Sequence, residues 1–127
     1  MEVLSSRILL RPTDLARSHA FYGDVLGLAV YRDFGPPKHR GVVHFLGTGL
    51  LEVSGHAEQR PAGLELWLQV RDVAREHERL ARAGVTVTRS PRREPWGLVE
   101  MRIEDPDGVR IAAVEVPEDH PLRRDQR

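Results

Sequence analysis

The sequence predicts an α+β fold in which one unit, a strand, a helix and three further strands, occurs twice. The segment around Asp14 recurs around Asp72 at a constant offset of 58 positions, with identical Ala, Arg and His residues after each aspartate. Each copy follows an alternating apolar run and leads to a glycine and another apolar run. Such self-similarity indicates a duplicated supersecondary unit, so we expect two halves related by an approximate twofold axis.

The first unit, residues 6–55, begins with a strand and a capped helix. Ile8 and Leu10 alternate with outward-facing neighbours, which predicts a strand ending before Pro12. Asp14 is the predicted N-cap of the helix, because its carboxylate can accept the free amides of the first turn. Three strands are then predicted, at residues 28–34, 42–46 and 50–54.

The second unit, residues 64–116, repeats this order after a Gly- and Pro-containing connector, residues 56–63. Asp72 is the predicted cap of the second helix, which should end at Gly84. Strands are predicted at residues 64–70, 85–89, 96–103 and 109–116, with a turn at residues 105–108. The charged tail, residues 117–127, is expected to be loosely held. A chain of 127 residues is long enough for one core, so we predict a single domain, 1–127.

Composition excludes several classes of protein. The chain has 19 basic and 19 acidic residues, and this zero formal charge gives no indication of a nucleic-acid or anionic-membrane partner. It has no cysteine, which excludes disulfides, thiol nucleophiles and Cys-ligated metals, and which fits a reducing compartment. The sequence has neither a signal-peptide pattern at its start nor an apolar run of membrane-spanning length. We therefore expect a cytoplasmic protein without a membrane partner.

The sheet face opposite each helix is predicted to carry a ligand site, because alternation does not leave it uniformly polar. The residues assigned to this open face are Arg7, Leu9 and Arg11, then Leu50, Glu52 and Ser54, then Glu65, Trp67 and Gln69, then Trp96, Leu98, Glu100 and Arg102, and finally Arg110, Ala112 and Val114. Apolar walls with a few converging charges are what a concave ligand site requires. An oligomer interface is the alternative, since Trp and Arg are equally frequent there.

The histidines and tryptophans divide between structural and binding roles. His19 and His77 occupy inward helix positions and are interpreted as structural histidines. His44 is assigned to the open face as a ligand contact. Trp67 and Trp96 are candidates for stacking on a planar ligand, with wall packing or a dimer contact as the alternative.

Four segments together resemble the vicinal oxygen chelate superfamily, which includes glyoxalase I, extradiol dioxygenases and bleomycin resistance proteins. They are DLARSHAFY at residues 14–22, VLGL at 25–28, PWG at 95–97 and DPDG at 105–108. The resemblance covers nearly the whole chain up to Val116. It implies paired βαβββ modules that form a cupped eight-stranded mixed sheet with the helices on its convex side, commonly assembled as a homodimer.

In metal-dependent members of that superfamily, four His or Glu ligands lie on the first and last strands of the modules. Position by position, the resemblance places these ligands at Arg7, Glu52, Glu65 and Ala112. A guanidinium stays protonated and cannot ligate a metal, and Ala112 has no donor atom. We therefore expect no metal and no other cofactor, with Arg7 taking the place of the cation and pairing with Glu52 or Glu65.

The resulting hypothesis is a metal-free, bleomycin-resistance-like homodimer that binds and sequesters an antibiotic or similar natural product. The ligand-binding residues we predict are Arg7, His44, Glu52, Glu65, Trp67, Gln69, Trp96, Glu100 and Arg102. No catalytic residue is assigned. The alternative is a glyoxalase-type lyase or isomerase in which Glu52 and Glu65, with or without His44, hold a divalent metal or move a proton. A third hypothesis is a noncatalytic accessory subunit whose open face docks a protein.

Overall fold

The computed structural model describes residues 1–124 and divides the chain into two compact units, Met1–Ala62 and Gly63–Arg127, here called module one and module two. The elements of module one are β1 (Ile8–Leu10), α1 (Leu15–His19) with a π-helical continuation (Ala20–Val25), β2 (Val30–Phe34), a 3-10 turn (Pro37–His39), β3 (Gly41–Leu46) and β4 (Gly49–Val53). Those of module two are β5 (Glu65–Gln69), α2 (Val73–Arg82), β6 (Thr86–Arg93), β7 (Val99–Glu104), β8 (Arg110–Glu115) and α3 (Pro121–Arg124). Within residues 1–124, no helix is long and apolar enough to cross a membrane.

Both modules have the same sheet topology. Module one has the strand order β1-β4-β3-β2 and module two has the order β5-β8-β7-β6. In each sheet the first strand runs parallel to the last strand of its module, and the other pairs are antiparallel. The predicted α+β class and the repeated strand, helix and three-strand order are therefore confirmed, with the eight strands forming two four-stranded mixed sheets.

The duplicated aspartates cap both helices as predicted. The Asp14 carboxylate accepts the backbone N–H of Arg17 at 3.0 Å, and the Asp72 carboxylate accepts that of Arg75, also at 3.0 Å. Each bond satisfies one of the amide groups that the first turn of a helix leaves without an intrahelical partner. The repeated sequence motif is thus explained by the need to start a helix directly after a strand.

The first helix departs from the regular helix that the sequence predicts. After His19 the backbone widens into a π-helix, in which the Leu26 N–H donates to the Phe21 carbonyl at 2.8 Å. The buried residues of this segment are Ser18, Phe21 and Tyr22, whereas Leu15 and Leu26, which lie at helical spacing from Tyr22, remain half-buried. The wider turn moves the apolar stripe, because the positions facing the sheet no longer recur at a spacing of 3.6 residues.

The core of each module lies between its helix and its sheet. In module one, Tyr22 of the helical segment and Leu51 and Val53 of β4 are fully buried. In module two, Val73 and Leu80 are the buried residues of α2, and Met101, Ile103 and Ile111 are buried on the sheet. These side chains have almost no exposed surface, and each contributes about 1.5–3 kcal/mol of hydrophobic stabilisation relative to an exposed position.

The turns of module two fix the ends of its long hairpins. Asp105 accepts the backbone N–H groups of Asp107 and Val109 at 2.8 and 2.9 Å, so the DPDG segment forms the predicted turn. Strand β6 extends to Arg93, beyond the predicted end at residue 89, and the chain reverses at Glu94, whose carbonyl accepts the Gly97 N–H at 2.9 Å.

The C-terminal tail carries the short helix α3, which the sequence did not predict. Residues 125–127 of the tail lie outside the described part of the chain.

Candidate functional site

The open face of module one is the sheet face opposite α1. In the register of the sheet, Leu9 on β1, Glu52 on β4 and Val43 on β3 are neighbours across the strands, so their side chains share one face. The adjacent row, with His44 beside Leu51, points the other way. Glu52 therefore lies near the centre of the open face, as alternation predicts.

Two arginines and a serine surround the Glu52 carboxylate. Arg7 donates to Oε1 at 3.0 Å, Arg11 donates to Oε2 at 3.3 Å, and the Ser54 hydroxyl donates to Oε2 at 2.7 Å. Arg11 also donates to the Ser54 oxygen, which closes the network. The predicted pairing of Arg7 with Glu52 is confirmed. Arg11 and Ser54 were assigned to this face but not to the site, although their alternation with Arg7 and Glu52 was the signal that could have included them.

This network keeps Glu52 ionised. The Ser54 hydroxyl is the main cause that lowers the pKa of the Glu52 carboxyl below its usual value, and Arg7 and Arg11 act in the same direction against the opposing effect of burial. The side chain of Glu52 is only 12% exposed, so the charge needs these donors. The result is a fixed carboxylate held between two guanidinium groups.

We expect Glu52→Gln to lower the free energy of unfolding by about 1 kcal/mol at pH 7, because the two arginines lose a counter-charge near the surface. The lowered pKa of Glu52 means that its contribution is complete above pH 4.5 and is lost as the pH falls through the folded-state pKa. The difference between wild type and variant should therefore vanish in strong acid. Urea denaturation at pH 7 and pH 3 measures it, with the exposed Glu58→Gln as the matched control. Equal stability of Glu52→Gln and wild type at pH 7 would contradict this prediction.

Exposed apolar side chains surround the Glu52 network. Leu9 lies beside Glu52 in the register, and Phe45 follows Val43 on the same face of β3. The ring of Tyr31 meets that of Phe45 edge to face, with centroids 5.3 Å apart. All three of Leu9, Tyr31 and Phe45 are about half exposed. The two aromatic residues were not predicted as site residues, although Phe45 shares the alternation phase of Val43.

The prediction that His44 lies on the open face is wrong. His44 pairs with Leu51 on the helix-covered face, and its Cε1 atom is 3.8 Å from the position of a Cβ built on Gly23. It is buried, and within residues 1–124 neither of its ring nitrogens makes a hydrogen bond. Burial is the main cause that lowers the pKa of His44, with a smaller contribution in the same direction from His19. His44 is therefore a neutral, buried residue on the helix-covered face.

His19 and His77, the two histidines of the helices, were predicted to have structural roles. His19 hydrogen-bonds the Arg40 carbonyl through Nε2 at 2.7 Å. Because a carbonyl oxygen only accepts, Nε2 must carry the proton. His77 is half-buried on α2. The structural role proposed for His19 is consistent with this bond between the helix and the loop before β3.

The open face of module two has three rows of side chains that cross its strands. From β7 through β8 to β5 the rows are Glu104, Arg110 and Glu65, then Arg102, Ala112 and Trp67, then Glu100, Val114 and Gln69. All the residues predicted for this face on these strands therefore lie on it together. Leu98, Ala112, Val114 and Val116 form a buried apolar cluster, and two of its members, Ala112 and Val114, belong to these rows.

A chain of polar contacts crosses this face. The Trp96 indole N–H donates to Glu100 Oε2, and Arg102 Nη1 forms an ion pair with Glu100, 3.0 Å from its Oε1. Arg102 Nε also lies 3.7 Å from Oε1 of Glu65. Glu65 therefore pairs with Arg102 of its own module, and the carboxylate that pairs with Arg7 is Glu52.

Both tryptophans present large apolar surfaces beside these charges. Trp67 is 50% exposed and Trp96 is 55% exposed. Trp67 shares its row with Arg102, and Trp96 is bonded to Glu100. An aromatic ring next to fixed polar groups can bind a planar molecule by stacking while hydrogen bonds set its orientation.

Comparison with known protein families shows to which family this fold and sequence belong. The sequence pattern of the Glyoxalase/Bleomycin resistance protein/Dioxygenase superfamily matches residues 5–113, which include nearly all of both modules. The chain belongs to this superfamily. The resemblance inferred from the sequence motifs is thereby confirmed at the level of the superfamily.

Superfamily relatives of different kinds are similar to the chain. The lactoylglutathione lyase of Salmonella typhimurium is 31% identical over an alignment 126 positions long, which covers 84% of this chain and 88% of the relative. A glyoxalase-related enzyme from Fulvimarina pelagi is 27% identical, with a TM-score of 0.72 over 92% of this chain and 90% of that one. TnmS3, an antibiotic binding protein from Streptomyces sp. CB03234, shares the fold at 22% identity, with a TM-score of 0.75 over 91% of this chain and 98% of that one. Fold does not separate these functions, so the side chains must.

The residues at the four superfamily metal positions do not fit a divalent ion. Arg7 is a permanent cation that donates to Glu52, Ala112 has no donor atom, and Glu65 is paired with Arg102. Among residues 1–124, no group of three or more His, Asp or Glu side chains is placed to hold a metal. Catalytic metal sites use three or four protein ligands, so the carboxylates present here serve as partners of arginine in this structure.

Proposed function

We propose that this protein binds and sequesters a small planar organic molecule, such as an antibiotic or similar natural product, without the help of a metal ion. The observation that carries the proposal is that both carboxylates at the superfamily metal positions form ion pairs with arginine. Glu52 pairs with Arg7, and Glu65 pairs with Arg102. Because arginine already neutralises these carboxylates, they do not attract a metal cation. The guanidinium groups can instead donate hydrogen bonds to a ligand.

The aromatic surface supports the same function. Trp67 and Trp96 expose about half of their area next to hydrogen-bonding groups, which is the composition of an organic-ligand site. Gln69 and Arg102 would help to orient the ligand. In this role affinity is the function, and no proton or group needs to be transferred. We expect the protein to act as a homodimer in the cytoplasm.

Thermal unfolding with and without a chelator tests the proposal. We expect excess EDTA, and added Zn²⁺, Ni²⁺ or Mn²⁺, to change the melting temperature by less than about 1 °C, because no ligand set for these ions is assembled. A panel of planar aromatic natural products should contain compounds that raise it. At a concentration of 100 times Kd, a bound compound stabilises the fold by about 2.7 kcal/mol. Stabilisation by a divalent ion and by no member of the panel would contradict the proposal.

A second candidate function is a glyoxalase-type lyase or isomerase, and the similarity to the lactoylglutathione lyase favours it. In that reaction Glu52 and Glu65 would bind a divalent metal, after each had released its arginine partner. Metal titration of wild type, Glu52→Gln and Glu65→Gln distinguishes the two functions. Tight binding of one metal ion, lost in both variants, would establish the enzyme and exclude metal-free sequestration.

A further inference from the structure

We propose that Glu100 is a positioning residue that holds Trp96 and Arg102 as one recognition element, and that this element selects neutral planar aromatic molecules with an acceptor oxygen on the ring or next to it. The inference rests on the proposed function and adds to it the chemical class of the ligand. It also makes one prediction about the protein alone, which does not depend on any ligand.

Glu100 is placed to hold neighbouring side chains in position and not to touch a ligand itself. It is only 4% exposed, and its two oxygens are both occupied, one by the Trp96 N–H and the other by Arg102 Nη1 at 3.0 Å. Its two partners reach the surface, since Trp96 is largely exposed and Arg102 is partly exposed. The carboxylate thus connects two groups that a ligand can touch while it remains inaccessible to the ligand itself.

Stability alone gives no reason for a carboxylate at this place. Val114, next to Glu100 in the register, is fully buried and belongs to an apolar cluster. Burying a carboxylate is costly, and pairing it with an arginine usually only offsets that cost, whereas an apolar side chain would pack there without it. What the carboxylate adds is a fixed direction for the indole ring and for the guanidinium group.

The backbone of Trp96 is fixed as well. Residues 94–97 form a turn in which the Gly97 N–H donates to the Glu94 carbonyl at 2.9 Å, and Gly97 has a φ of 94° that favours glycine. The Trp96 carbonyl lies 3.1 Å from Nε2 of His120. Main chain and ring are therefore both held before any ligand arrives, so binding costs little side-chain entropy.

The charges around Arg102 indicate which ligands are accepted. Glu100 and Glu65 contact Arg102, and Arg110 lies between Glu65 and Glu104 in the register, so three carboxylates and two guanidinium groups share this face. An anionic ligand would meet this excess of negative charge, and a cationic ligand without an acceptor oxygen would gain no hydrogen bond from Arg102. A guanidinium has five N–H donors, and the two carboxylates do not use all of them. A carbonyl or phenolic oxygen can accept from the remaining donors while its ring stacks on Trp96 or Trp67.

The positioning role is tested with the free protein. In a Trp67→Phe background, Trp96 is the only tryptophan, so its fluorescence reports on that ring alone. Replacing Glu100 with Gln should lower the steady-state anisotropy of Trp96 and raise acrylamide quenching about twofold, because the amide cannot accept from both partners. Glu104→Gln is the matched control, since it makes the same change on the same face of β7. If Glu100→Gln behaves like Glu104→Gln, Glu100 does not position the ring and the inference is overturned.

The selection is tested with three probes that share one ring system: neutral 2-acetonaphthone, anionic 2-naphthoate and cationic 2-naphthylmethylammonium. We expect the wild type to bind 2-acetonaphthone best of the three probes. Glu100→Gln should weaken that binding about three- to tenfold, whereas Glu78→Gln, which neutralises an exposed carboxylate on α2, should leave it unchanged. Trp96→Phe, which keeps an aromatic ring but removes the N–H, should weaken it similarly and replaces Glu100→Gln if that variant does not fold. Equal affinity for all three probes would overturn the selection and leave the proposed function standing. Binding of none of them would overturn the selection and also count against the proposed function.

Discussion

Trp67→Ala is expected to lower the affinity for a ligand found in the thermal screen by about 10- to 100-fold, with little change in melting temperature. Half of the Trp67 side chain is exposed, so the fold depends little on it. Its ring lies in one row with Ala112 and Arg102, where a stacked ligand would also reach the guanidinium group. Removing a central aromatic contact typically costs about 1.5–3 kcal/mol of binding free energy, which corresponds to this range of affinity.

Two control variants show whether a loss of affinity in Trp67→Ala is due to the aromatic ring at this position. Trp67→Phe keeps an apolar ring and should lose less than about fivefold in affinity. Ile8→Ala removes an exposed apolar side chain from the opposite sheet face of module one and should bind as the wild type does. Isothermal titration calorimetry and a thermal melt of each variant are sufficient. If Trp67→Ala binds the ligand as tightly as the wild type, the open face of module two is not the binding surface.

The fold could be predicted from the sequence because its signals are local and repeated. Asp14 and Asp72 each accept an amide three residues onward, an interaction determined within one helical turn. The turn at Asp105 likewise depends on bonds within four residues. Since the same local solution occurs twice at one offset, the duplication also predicts the topology that the two sheets share.

The partners of the site charges could be predicted only in part, because several arginines share one face. Alternation places Glu65 on the open face, but Arg102 and Arg110 of module two are both close to it in the register. The guanidinium found 3.7 Å from the carboxylate is that of Arg102, two strands away, and such a contact depends on side-chain conformations across three strands. For Glu52, by contrast, the predicted partner Arg7 is found, together with Arg11.

His44 shows how alternation fails in a strand that is buried on both faces. Gly41, Val42 and Val43 precede it, and all three are buried, so the apolar pattern does not define which face is inward. The register decides, since Val43 pairs with Glu52 and His44 pairs with Leu51. Where the residues before a position are apolar on both faces, alternation does not indicate which face is inward, so the sequence alone does not assign His44 to a face.

His44 should make the protein less stable as the pH falls below about 6.5. Burial lowers its folded-state pKa below the value of 6.5, with smaller contributions in the same direction from the nearby charges of His19 and Arg40. The unfolded chain therefore binds the proton more readily than the folded chain. Stability is complete above pH 6.5 and decreases as the pH falls toward the folded-state pKa, with a slope that approaches about 1.4 kcal/mol per pH unit for one proton.

Urea denaturation between pH 8 and pH 5 measures this effect, and His44→Leu isolates it. Leucine fills a similar volume and removes two ring nitrogens that make no hydrogen bond within residues 1–124. We therefore expect the variant to be at least as stable as the wild type at pH 7 and to lose much less stability at pH 5. His39→Gln, which changes an exposed histidine, should retain the full wild-type pH dependence. If the unfolding free energy of wild type and of His44→Leu depends on pH in the same way, the acid sensitivity has another origin. A weaker pH dependence in His44→Leu would assign it to this buried histidine, which lies on the helix-covered face and not on the proposed ligand surface.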